Sequence, residues 1–452
     1  QTLPLTVYFE FDSASTMCPI EEVIDYQLTT SVSMVIATPV TYTMYNILPP
    51  GDFASGKKFI YCTENVTKKT HYATIADALG KDLGDYDVVE ICAGGYIIDD
   101  LRVYPNGITL KSKDGANNTK IAGKIILSGN DATVEALSFI EIGNIEAGLE
   151  TYKDGDKLIK DCRFINCSRA LYLSGGLNTA IRNCNFSRVK TGILAIEVSK
   201  SLEISNNSFD GLQQGINLHD VNNLRIVNNT MTLPVDNFYL SDFIDIYTAK
   251  DAEIANNTIV IPNGMEYAGP MIGIQIRNAY NVLIHDNRII GSRYSMEKRL
   301  RCHIYRGVQI YKCRSIFVDN NTVKDASMGF DISDCVFGSV IKNSISNCEF
   351  QGIYLKNNKD IHFIENDFSG NGRNYEYGKK IKPISLLPFA DEIHAGLVAE
   401  NSNVNIYKNR FKADSAYGAY VSGDAVPRFS GNIFENNVDF GLFNNSPESC
   451  PA

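Results

Sequence analysis

From about residue 159 onward, apolar and polar positions follow one short phrase that returns at regular intervals. The phrase is apolar-x-x-(Asn/Cys)-x-apolar, and in chain order it reads IKDCRF, IRNCNF, ISNNSF, IVNNTM, IANNTI, IHDNRI, VDNNTV, VIKNSI, FIENDF, IYKNRF and FSGNIF. Its fourth position holds, in turn, Cys162, Cys184, Asn207, Asn229, Asn257, Asn287, Asn321, Asn343, Asn366, Asn409 and Asn432. The intervals are 22, 23, 22, 28, 30, 34, 22, 23, 43 and 23 residues, so the base period is 22 to 23 residues with insertions in four intervals.

A second phrase, of the type small-apolar-x-apolar, follows each of these positions. Its forms are ALYL, GILA, GINL, GIQI, GVQI, GFDI, GIYL, GLVA, GAYV and GLF. Both phrases alternate apolar and polar residues with period 2, which predicts two short strands per repeat. Amphipathic helices are excluded because their apolar residues recur every three to four positions. A leucine-rich repeat has a similar length, but its LxxLxLxxN order is missing.

The two phrases together resemble the parallel β-helix repeats of the pectate-lyase-like superfamily, over about residues 70 to 445. The resemblance implies an all-β fold, a right-handed parallel β-helix, with a small capping helix at TIADAL (Thr74 to Leu79). It does not imply one activity, since that superfamily hosts lyases, hydrolases, epimerases, esterases, phage tailspikes, adhesins and inert surface proteins. Coils stacked about 4.8 Å apart would bring the Asn positions into a buried column whose amides bond to one another.

Residues 1–65 do not follow the period and are predicted to form an N-terminal β-rich arm or small domain, whereas residues 66–452 form the β-helix. The segments LTVYFEF and SVSMVIATPVTYTMYNI are strand-like, and Pro49-Pro50-Gly51 is typical of a boundary. Two roles stay open for this arm: assembly with other copies of the chain or related subunits, and covering an end of the β-helix.

The four insertions enter at one corner of the repeat, between the Asn position and the second phrase. Three lie on consecutive coils, so their loops are expected to wall a groove beside the strand of the second phrase. The outward residues of that strand are Asn217, Asp245, Gln275, Gln309, Asp331 and Tyr354, followed two positions later by His219, Tyr247, Arg277 and Tyr311. A polar face with tyrosines suits an oligosaccharide; alternatively, it is the ordinary polar surface of an exposed sheet.

The third insertion, GSRYSMEKRLRCHIYRG, is locally basic. Its cationic residues include Arg301 and His303. With Arg277 beneath it, this loop is expected to hold the carboxylates or sulfates of an acidic glycan, because guanidinium groups bind such anions in a bidentate way. The other interpretation is a solvated run of charges that pairs with neighbouring acids.

The acids of the groove limit the possible chemistry. A glycosidase needs two carboxyl groups about 5 to 9.5 Å apart, whereas Asp245 and Asp331 lie three coils, or about 14 Å, apart. Because the acids are sparse and unpaired, no metal site and no cofactor are predicted. Calcium binding stays an open alternative that the sequence does not indicate.

A β-elimination lyase or a C5-epimerase needs a cation to neutralise the uronate carboxylate and a base near its C5 proton. Arg277 fits the first role, and His219, Tyr247 or Tyr311 fits the second. The motifs expected from the resembling enzyme families, such as GHG or DPH, are nevertheless missing.

Composition narrows the class of protein further. The chain has 452 residues, a formal net charge of −10, 44% hydrophobic and 21% charged residues. The hydrophobic fraction excludes a disordered chain, the acidic balance argues against nucleic-acid binding, and no apolar run is long enough to span a membrane. A length that suggests about three domains is explained by one core that grows with each stacked coil.

Cysteines and N-x-S/T sequons point to an oxidising compartment. Of the eleven Cys residues, Cys162, Cys184 and Cys348 are expected to be small buried side chains, whereas the disulfide candidates are Cys18, Cys62, Cys92 and Cys450. The sequons lie at Asn65, Asn117, Asn166, Asn185, Asn206, Asn228, Asn256, Asn320 and Asn444. Four of them arise from the repeat phrase and are expected to be partly occupied; Asn65, Asn117 and Asn444 are expected to be occupied more fully. The start at Gln1 is interpreted as a processed one, after removal of a signal peptide.

Two functions follow from these patterns. The first is a secreted, glycosylated extracellular β-helix protein with a structural or adhesive role, which holds polysaccharide or partner subunits along one face. The alternative is a polysaccharide-active enzyme, a lyase or C5-epimerase of an acidic glycan, whose groove lies at the coils around residues 217–331.

Overall fold

In the computed structural model, the described residues are 62–80, 82–143, 146–152, 155–233, 242–262, 271–296, 299–302, 304–372 and 393–446. For 293–296 and 299–302 this description covers the backbone alone. The described chain is a parallel β-helix, in which nearly every strand pairs in parallel with the equivalent strand of the next coil. We name the three faces of the coil the first, second and third strand columns, in chain order.

The strands of the first column are Val88–Ile91, Ile108–Ser112, Ala132–Glu135, Lys157–Lys160, Asn178–Arg182, Ser201–Ser205, Tyr280–His285, Arg314–Asp319, Val336–Ile341, Lys359–Ile364, Asn403–Tyr407 and Arg428–Ser430. The second column consists of Gly94–Ile97, Thr119–Ala122, Ser138–Ile140, Arg163–Ile165, Asn185–Ser187, Ser208–Asp210, Thr230–Thr232, Thr258–Val260, Arg288–Ile290, Thr322–Lys324, Ser344–Ser346, Asp367–Ser369, Arg410–Lys412 and Ile433–Glu435. The third consists of Leu101–Val103, Lys124–Leu127, Gly148–Thr151, Arg169–Ser174, Thr191–Ile196, Met271–Arg277, Ile304–Tyr311, Ala326–Ser333, Gln351–Lys356, Ala395–Glu400, Tyr417–Ser422 and Phe440–Asn445. Two long strands, Gln214–Val227 and Asp242–Ala255, run through the third column and bend into the first column of the following coil.

Each regular coil thus has three strands, where the sequence pattern predicts two. The first phrase is divided at its Asn or Cys into a strand before and a short strand after it. The residue just before that position has a left-handed backbone, as at Asn206 (φ 56°), Asn228 (φ 58°) and Asn256 (φ 54°). Asn tolerates this conformation better than most residues, and one such residue turns the chain sharply. Because the chain turns at this corner, the two halves of the phrase lie on two different faces of the coil.

The core consists of columns of like side chains. Phe139, Phe164, Phe186 and Phe209 are buried, and their rings stack at 5.3, 4.9 and 4.6 Å between successive centroids. Stacked coils place equivalent positions of the repeat directly above one another, so each apolar side chain packs against the equivalent side chain of the next coil. Burial therefore grows with each added coil.

Buried polar ladders run along the corners. In the longest, the backbone N–H of Cys184 donates to Asn207 Oδ1 at 2.8 Å, and each following Asn donates to the next as far as Asn432. The Asn side chains also donate to carbonyls of the preceding coil, as Asn229 Nδ2 does to Ile204 O at 2.9 Å. This confirms the predicted amide column, in which buried polar groups satisfy one another.

Two shorter ladders occupy the other corners in the described part of the chain. One runs from Cys335 through Asn358 to Ser402. The other runs from Cys348 through Asn371 and Asp414 to Asn437, with the donor–acceptor distances 3.1, 2.9 and 3.1 Å. Buried cysteines precede the amides at these corners, and in one ladder the Sγ of Cys335 itself accepts from the backbone N–H of Cys313 at 3.4 Å.

The amino-terminal end carries a cap. Thr63–Asn65 pairs antiparallel with both Thr70–Tyr72 and Val88–Ile91, so the described chain joins the β-helix already at residue 63. The helix Ile75–Ala78 begins after Thr74, whose side chain accepts from the N–H of Asp77 at 3.0 Å. This confirms the predicted short helix. No helix in the described residues is of a length and apolarity to cross a bilayer.

Candidate functional site

The four insertions all separate a strand of the second column from the next strand of the third. They follow Thr230–Thr232, Thr258–Val260, Arg288–Ile290 and Asp367–Ser369. The expected common corner is therefore confirmed by strand order. Within the third insertion, Arg293–Met296 and Arg299–Cys302 form an antiparallel two-stranded hairpin. This insertion contributes regular structure beside the third column.

The predicted groove residues lie in two adjacent columns on the outer face of the third strand column. The first column pairs Asn217, Asp245, Gln275, Gln309, Asp331 and Tyr354 in register across successive coils. The second pairs His219, Tyr247, Arg277 and Tyr311. The structure thus brings these side chains to one face. We name the surface formed by these two columns the groove face. It also includes the outward residues that come before the two columns on the same strands.

An ion pair forms the centre of the groove face. Arg277 Nη2 lies 2.8 Å from both carboxylate oxygens of Asp245, on the preceding coil. The Arg277 guanidinium carbon also lies 5.5 Å from the centroid of the Tyr247 ring, in cation–π distance. Asp245 is 7% exposed in spite of its outward direction, because Arg277 covers it. The pair fixes the guanidinium over the face.

Polar atoms on the three following coils bond to one another. Gln275 Nε2 donates to Gln309 Oε1, and Gln309 Nε2 donates to Asp331 Oδ2 at 3.1 Å. Asp331 also accepts from Ser333 Oγ at 2.8 Å and lies 2.6 Å from Arg306 Nε, an ion pair without hydrogen-bond geometry. Apart from Arg306 Nε, this part of the face bonds internally, as a structural network does.

Two buried polar atoms beside Asp245 have no hydrogen-bond partner among the described residues. They are Asn217 Oδ1, on the coil before Asp245, and Arg277 Nε, on the coil after it. A buried polar atom without a partner costs about 1 to 3 kcal/mol, so native folds retain such atoms chiefly where something else binds them. Arg306 Nε, beside Asp331, is also buried without a hydrogen-bond partner among these residues, so the coils around Asp245 are one candidate part of the face for binding a ligand.

The sequence analysis missed Asp242. Asp242 begins the strand Asp242–Ala255 and is half-buried on the groove face, with Phe243 and Ile244 buried between it and Asp245. Burial raises the pKa of Asp242 to about 6, and the nearby Asp245 carboxylate adds to the rise, while Arg277 opposes it. A carboxyl group that titrates near neutrality is suited to proton transfer. The period-2 pattern did not predict Asp242, because two successive buried residues, Phe243 and Ile244, interrupt the alternation directly after it.

The remaining predicted residues surround this centre. The rings of His219 and Tyr247 lie 5.9 Å apart, and Tyr247 is 41% exposed. Tyr311 is contacted by the Lys312 ammonium, 5.0 Å from its ring centroid. Tyr354, further along the face, donates from its hydroxyl to Glu400. The side chain of Arg301 and the whole of His303 lie outside the described residues.

Comparison with known families agrees with this architecture. The family model for the right-handed β-helix region matches residues 102–259 and 272–449. The chain belongs to this right-handed β-helix family. A search with the sequence finds no match among curated proteins.

Several solved structures are similar to this β-helix. The A-module of the mannuronan C-5 epimerase AlgE4 of Azotobacter vinelandii is 12% identical, with 83% of this chain and 93% of that module covered and a TM-score of 0.40. The alginate lyase AlyF-OU02, in a complex with G6, is 16% identical, with 64% and 81% covered and a TM-score of 0.47. The periplasmic alginate epimerase AlgG is 10% identical, with 80% and 85% covered and a TM-score of 0.39. At these identities the likeness is one of fold.

The sequons differ in accessibility. The Asn residues are exposed at seven of them, namely Asn117, Asn166, Asn206, Asn228, Asn256, Asn320 and Asn444, and half-buried at Asn185. Asn65 corrects the sequence-based expectation: it is fully buried, and its Nδ2 donates to Asp87 Oδ2 at 2.8 Å. The fold leaves no room for a glycan there, because Asn65 is already part of the first paired strand.

The disulfide candidates are also revised. Cys62 is a buried thiol in this structure, and its Sγ donates to Ala73 O at 2.9 Å. Cys92 is buried in the adjoining strand segment, and Cys18 and Cys450 lie outside the described residues. The repeat cysteines Cys162, Cys184 and Cys348 are buried as predicted. In the described chain, no cluster of three or more His, Cys, Asp or Glu residues is arranged to hold a metal ion.

Proposed function

We propose that this β-helix is a polysaccharide-active enzyme, a lyase or C5-epimerase that acts on a uronate-containing glycan bound along the groove face. The observation that carries the proposal is the open polar centre around Asp245. There the Arg277 side chain, 33% exposed, is held by Asp245 beside the Tyr247 ring, and the buried Asn217 Oδ1 and Arg277 Nε have no partner among the described residues. A bound glycan offers hydroxyl and carboxylate groups to this centre.

Arg277 has the position of the group that neutralises the uronate. Its Nη2 is used by Asp245, and the exposed part of the side chain, 33% of its surface, remains for a substrate carboxylate. Neutralising that carboxylate makes the neighbouring C5 proton more acidic, since the charge that develops on its removal is stabilised. Tyr247 and His219, whose rings lie side by side on the same column, are the candidate bases. Tyr311, on the far side of Arg277, is the third.

The experiment is an incubation of the full chain with polymannuronate, polyguluronate, polygalacturonate and a sulfated glycan. The absorbance of unsaturated uronates reports elimination, and entry of solvent deuterium at C5, followed by NMR, reports epimerisation, since the elimination product has no hydrogen at C5. We expect one of the uronate polymers to react. Arg277→Lys should lower kcat/KM at least tenfold, because lysine offers a point charge without the planar fork.

Arg225→Lys is the matched control, since Arg225 makes a similar ion pair with Glu253 at 2.7 Å on the first strand column, away from the groove face. Equal loss of activity in both variants would contradict the role of Arg277. No reaction with any of the glycans would overturn the proposed function itself.

A structural or adhesive role is the second candidate, and the length of the polar face favours it. One outward column continues in register over six coils from Asn217 to Tyr354, which is longer than a single catalytic centre requires. A protein of this kind would bind the same glycans without changing them. Self-association through residues 1–65 belongs to this candidate and is tested by the mass of the intact chain in solution.

Secretion is proposed together with both candidates. The seven exposed sequon residues support it. Intact-mass measurement before and after glycan removal should show a loss of mass, with Asn65 unmodified. An unchanged mass would argue against a glycosylated, secreted protein.

A further inference from the structure

Two acidic side chains of one strand face the groove together. In Asp242–Ala255, Asp242 is in register with Ile272 and, one coil further, with Arg306. Arg306 lies 2.6 Å from the groove-face Asp331, so this position of the strand borders the groove face, where Asp245 also lies. Tyr247 follows as the next outward residue of the same strand and is exposed. The strand therefore presents a carboxyl group, an ion pair and an aromatic hydroxyl in sequence across one sheet face.

The two carboxyl groups have different environments. Asp245 is paired with Arg277 through both oxygens, whereas the described contact of Asp242 is the backbone N–H of Ile272 on the next coil. The charged groups that act on Asp242 are Asp245, which favours its protonated form, and Arg277, which opposes it. When two acids are neighbours and one cation serves only one of them, the other retains its proton to higher pH.

We infer that Asp242 is the proton donor of the reaction and that the reaction is an elimination, an inference that rests on the proposed function. Side chains that rise from one sheet face approach a bound sugar from one side. Epimerisation at C5 needs a proton removed from one side of the ring and delivered to the other. A syn elimination needs no such opposition, because the C5 proton and the glycosidic oxygen at C4 then lie on the same side of the ring and the base and the acid act from that side.

The step balances as follows. A base of the second outward column, Tyr247 or His219, takes the C5 proton, and the electron pair of that C–H bond forms the C4–C5 double bond. The bond between C4 and the glycosidic oxygen breaks, and Asp242 gives its proton to this oxygen. The products are a chain with an unsaturated uronate at its new non-reducing end and a chain with a free hydroxyl. Asp242 recovers a proton from water before the next turnover.

The test compares the wild-type chain with Asp242→Asn, Asp242→Glu and Asp251→Asn on the uronate polymer that reacts. Asp251 is the matched control: it lies on the same strand, is exposed and accepts from Asn281 on the first strand column. Wild-type kcat/KM should fall as the pH rises through 6 and above, since Asp242 then loses its proton. Asp242→Asn should lower kcat by about 10²–10⁴-fold, remove this pH dependence from the residual rate and leave KM nearly unchanged.

Asp242→Glu should retain part of the rate, and Asp251→Asn should behave as wild type. Circular dichroism and the unfolding midpoint establish that the variants are folded. If Asp242→Asn is unfolded, the pH profile of Asp242→Glu replaces it as the test. The fall in the rate of Asp242→Glu should then occur at a different pH from that of the wild type. A reacting wild type with an unaffected Asp242→Asn overturns the inference and leaves the proposed function intact. So does a product that is epimerised without cleavage. A wild type that reacts with no uronate polymer overturns both.

Discussion

The long amide ladder and the groove face are both columns of polar side chains repeated once per coil, yet they differ in how their polar atoms are satisfied. In the ladder, Asn257 accepts from two nitrogens of Asn229 and donates to Ile226 and Asn287, all at 2.8 to 3.0 Å. On the groove face, Asn217 Oδ1 is buried without a partner among the described residues. Stacking alone thus does not decide whether a polar column is structural.

The difference lies in the geometry of the two positions. A ladder Asn sits in a corner beside a backbone carbonyl and directly below its copy, so every coil offers the same partners. An outward side chain has a different neighbour on each coil. Whether its polar atoms find a hydrogen-bond partner therefore depends on which residues these neighbours are. The groove face contains one bonded network, at Gln275 to Asp331, and one ion-paired centre, at Asp245, and each includes a buried atom without a partner among the described residues.

The largest expected effect is in the ladder. Asn257→Leu removes four hydrogen bonds, which leaves the buried backbone N–H of Asn229 without its acceptor and takes a donor from the carbonyl of Ile226. The free energy of unfolding in urea should fall by about 2 to 6 kcal/mol, at about 1 to 3 kcal/mol for each of these two groups. Asn222→Leu is the control, because Asn222 is exposed and makes one bond to Ser199 O. Equal effects of both changes would contradict the structural role of the ladder.

A smaller loss is expected at the centre of the groove face. Arg277→Met leaves Asp245 nearly buried and unpaired, which should lower the free energy of unfolding by about 2 kcal/mol near neutral pH. The figure lies below that of a fully buried pair because Arg277 is 33% exposed. The double variant Asp245→Asn/Arg277→Met should recover most of the loss. If the single variant unfolds in urea like wild type, the ion pair does not fix the face.

The third prediction concerns the one acid in a ladder. Asp414 is fully buried, its Oδ2 has no partner in the described part of the chain, and burial raises its pKa well above the ordinary value. Because the folded pKa is the raised one, the contribution of Asp414 is most favourable below the unfolded pKa of about 4. It is lost as the pH rises from there towards the folded pKa.

Asp414→Asn should therefore stabilise the protein by about 1 kcal/mol near neutrality, since an amide avoids the free-energy cost of keeping a buried acid protonated in the fold while the unfolded group ionises. The gain should shrink as the pH is lowered towards 4. Urea unfolding at several pH values measures it, and Asn371→Asp, one coil earlier in the same ladder, should have the opposite effect. A gain that does not depend on pH would contradict a protonated Asp414.

The repeat made much of the fold predictable. The period located the Asn column, the common corner of the insertions and the two outward columns with His219, Tyr247 and Arg277, because side-chain direction follows from alternation along a strand. The third strand per coil was not predictable in this way, since it depends on a left-handed residue at the corner, such as Asn206. Apolar spacing does not report that angle.

Contacts between coils also escaped the sequence. The pairing of Asp245 with Arg277 depends on how far a side chain reaches across to the next coil, and Asp242 is hidden by the two inward residues that follow it. Asn65 appeared accessible because a sequon says nothing about burial, and strand pairing at Thr63–Asn65 encloses it. These are the points where tertiary contacts override the local pattern.

Asn217→Leu shows whether the unsatisfied polar atoms of the groove face serve a ligand or stabilise the fold. The same purified variant is measured for its free energy of unfolding in urea and for its rate on the reacting uronate polymer. The account predicts an unchanged or slightly higher stability, because a buried acceptor without a partner is removed, together with at least a tenfold lower kcat/KM. A loss of stability like that of Asn257→Leu, with the rate retained, would contradict it.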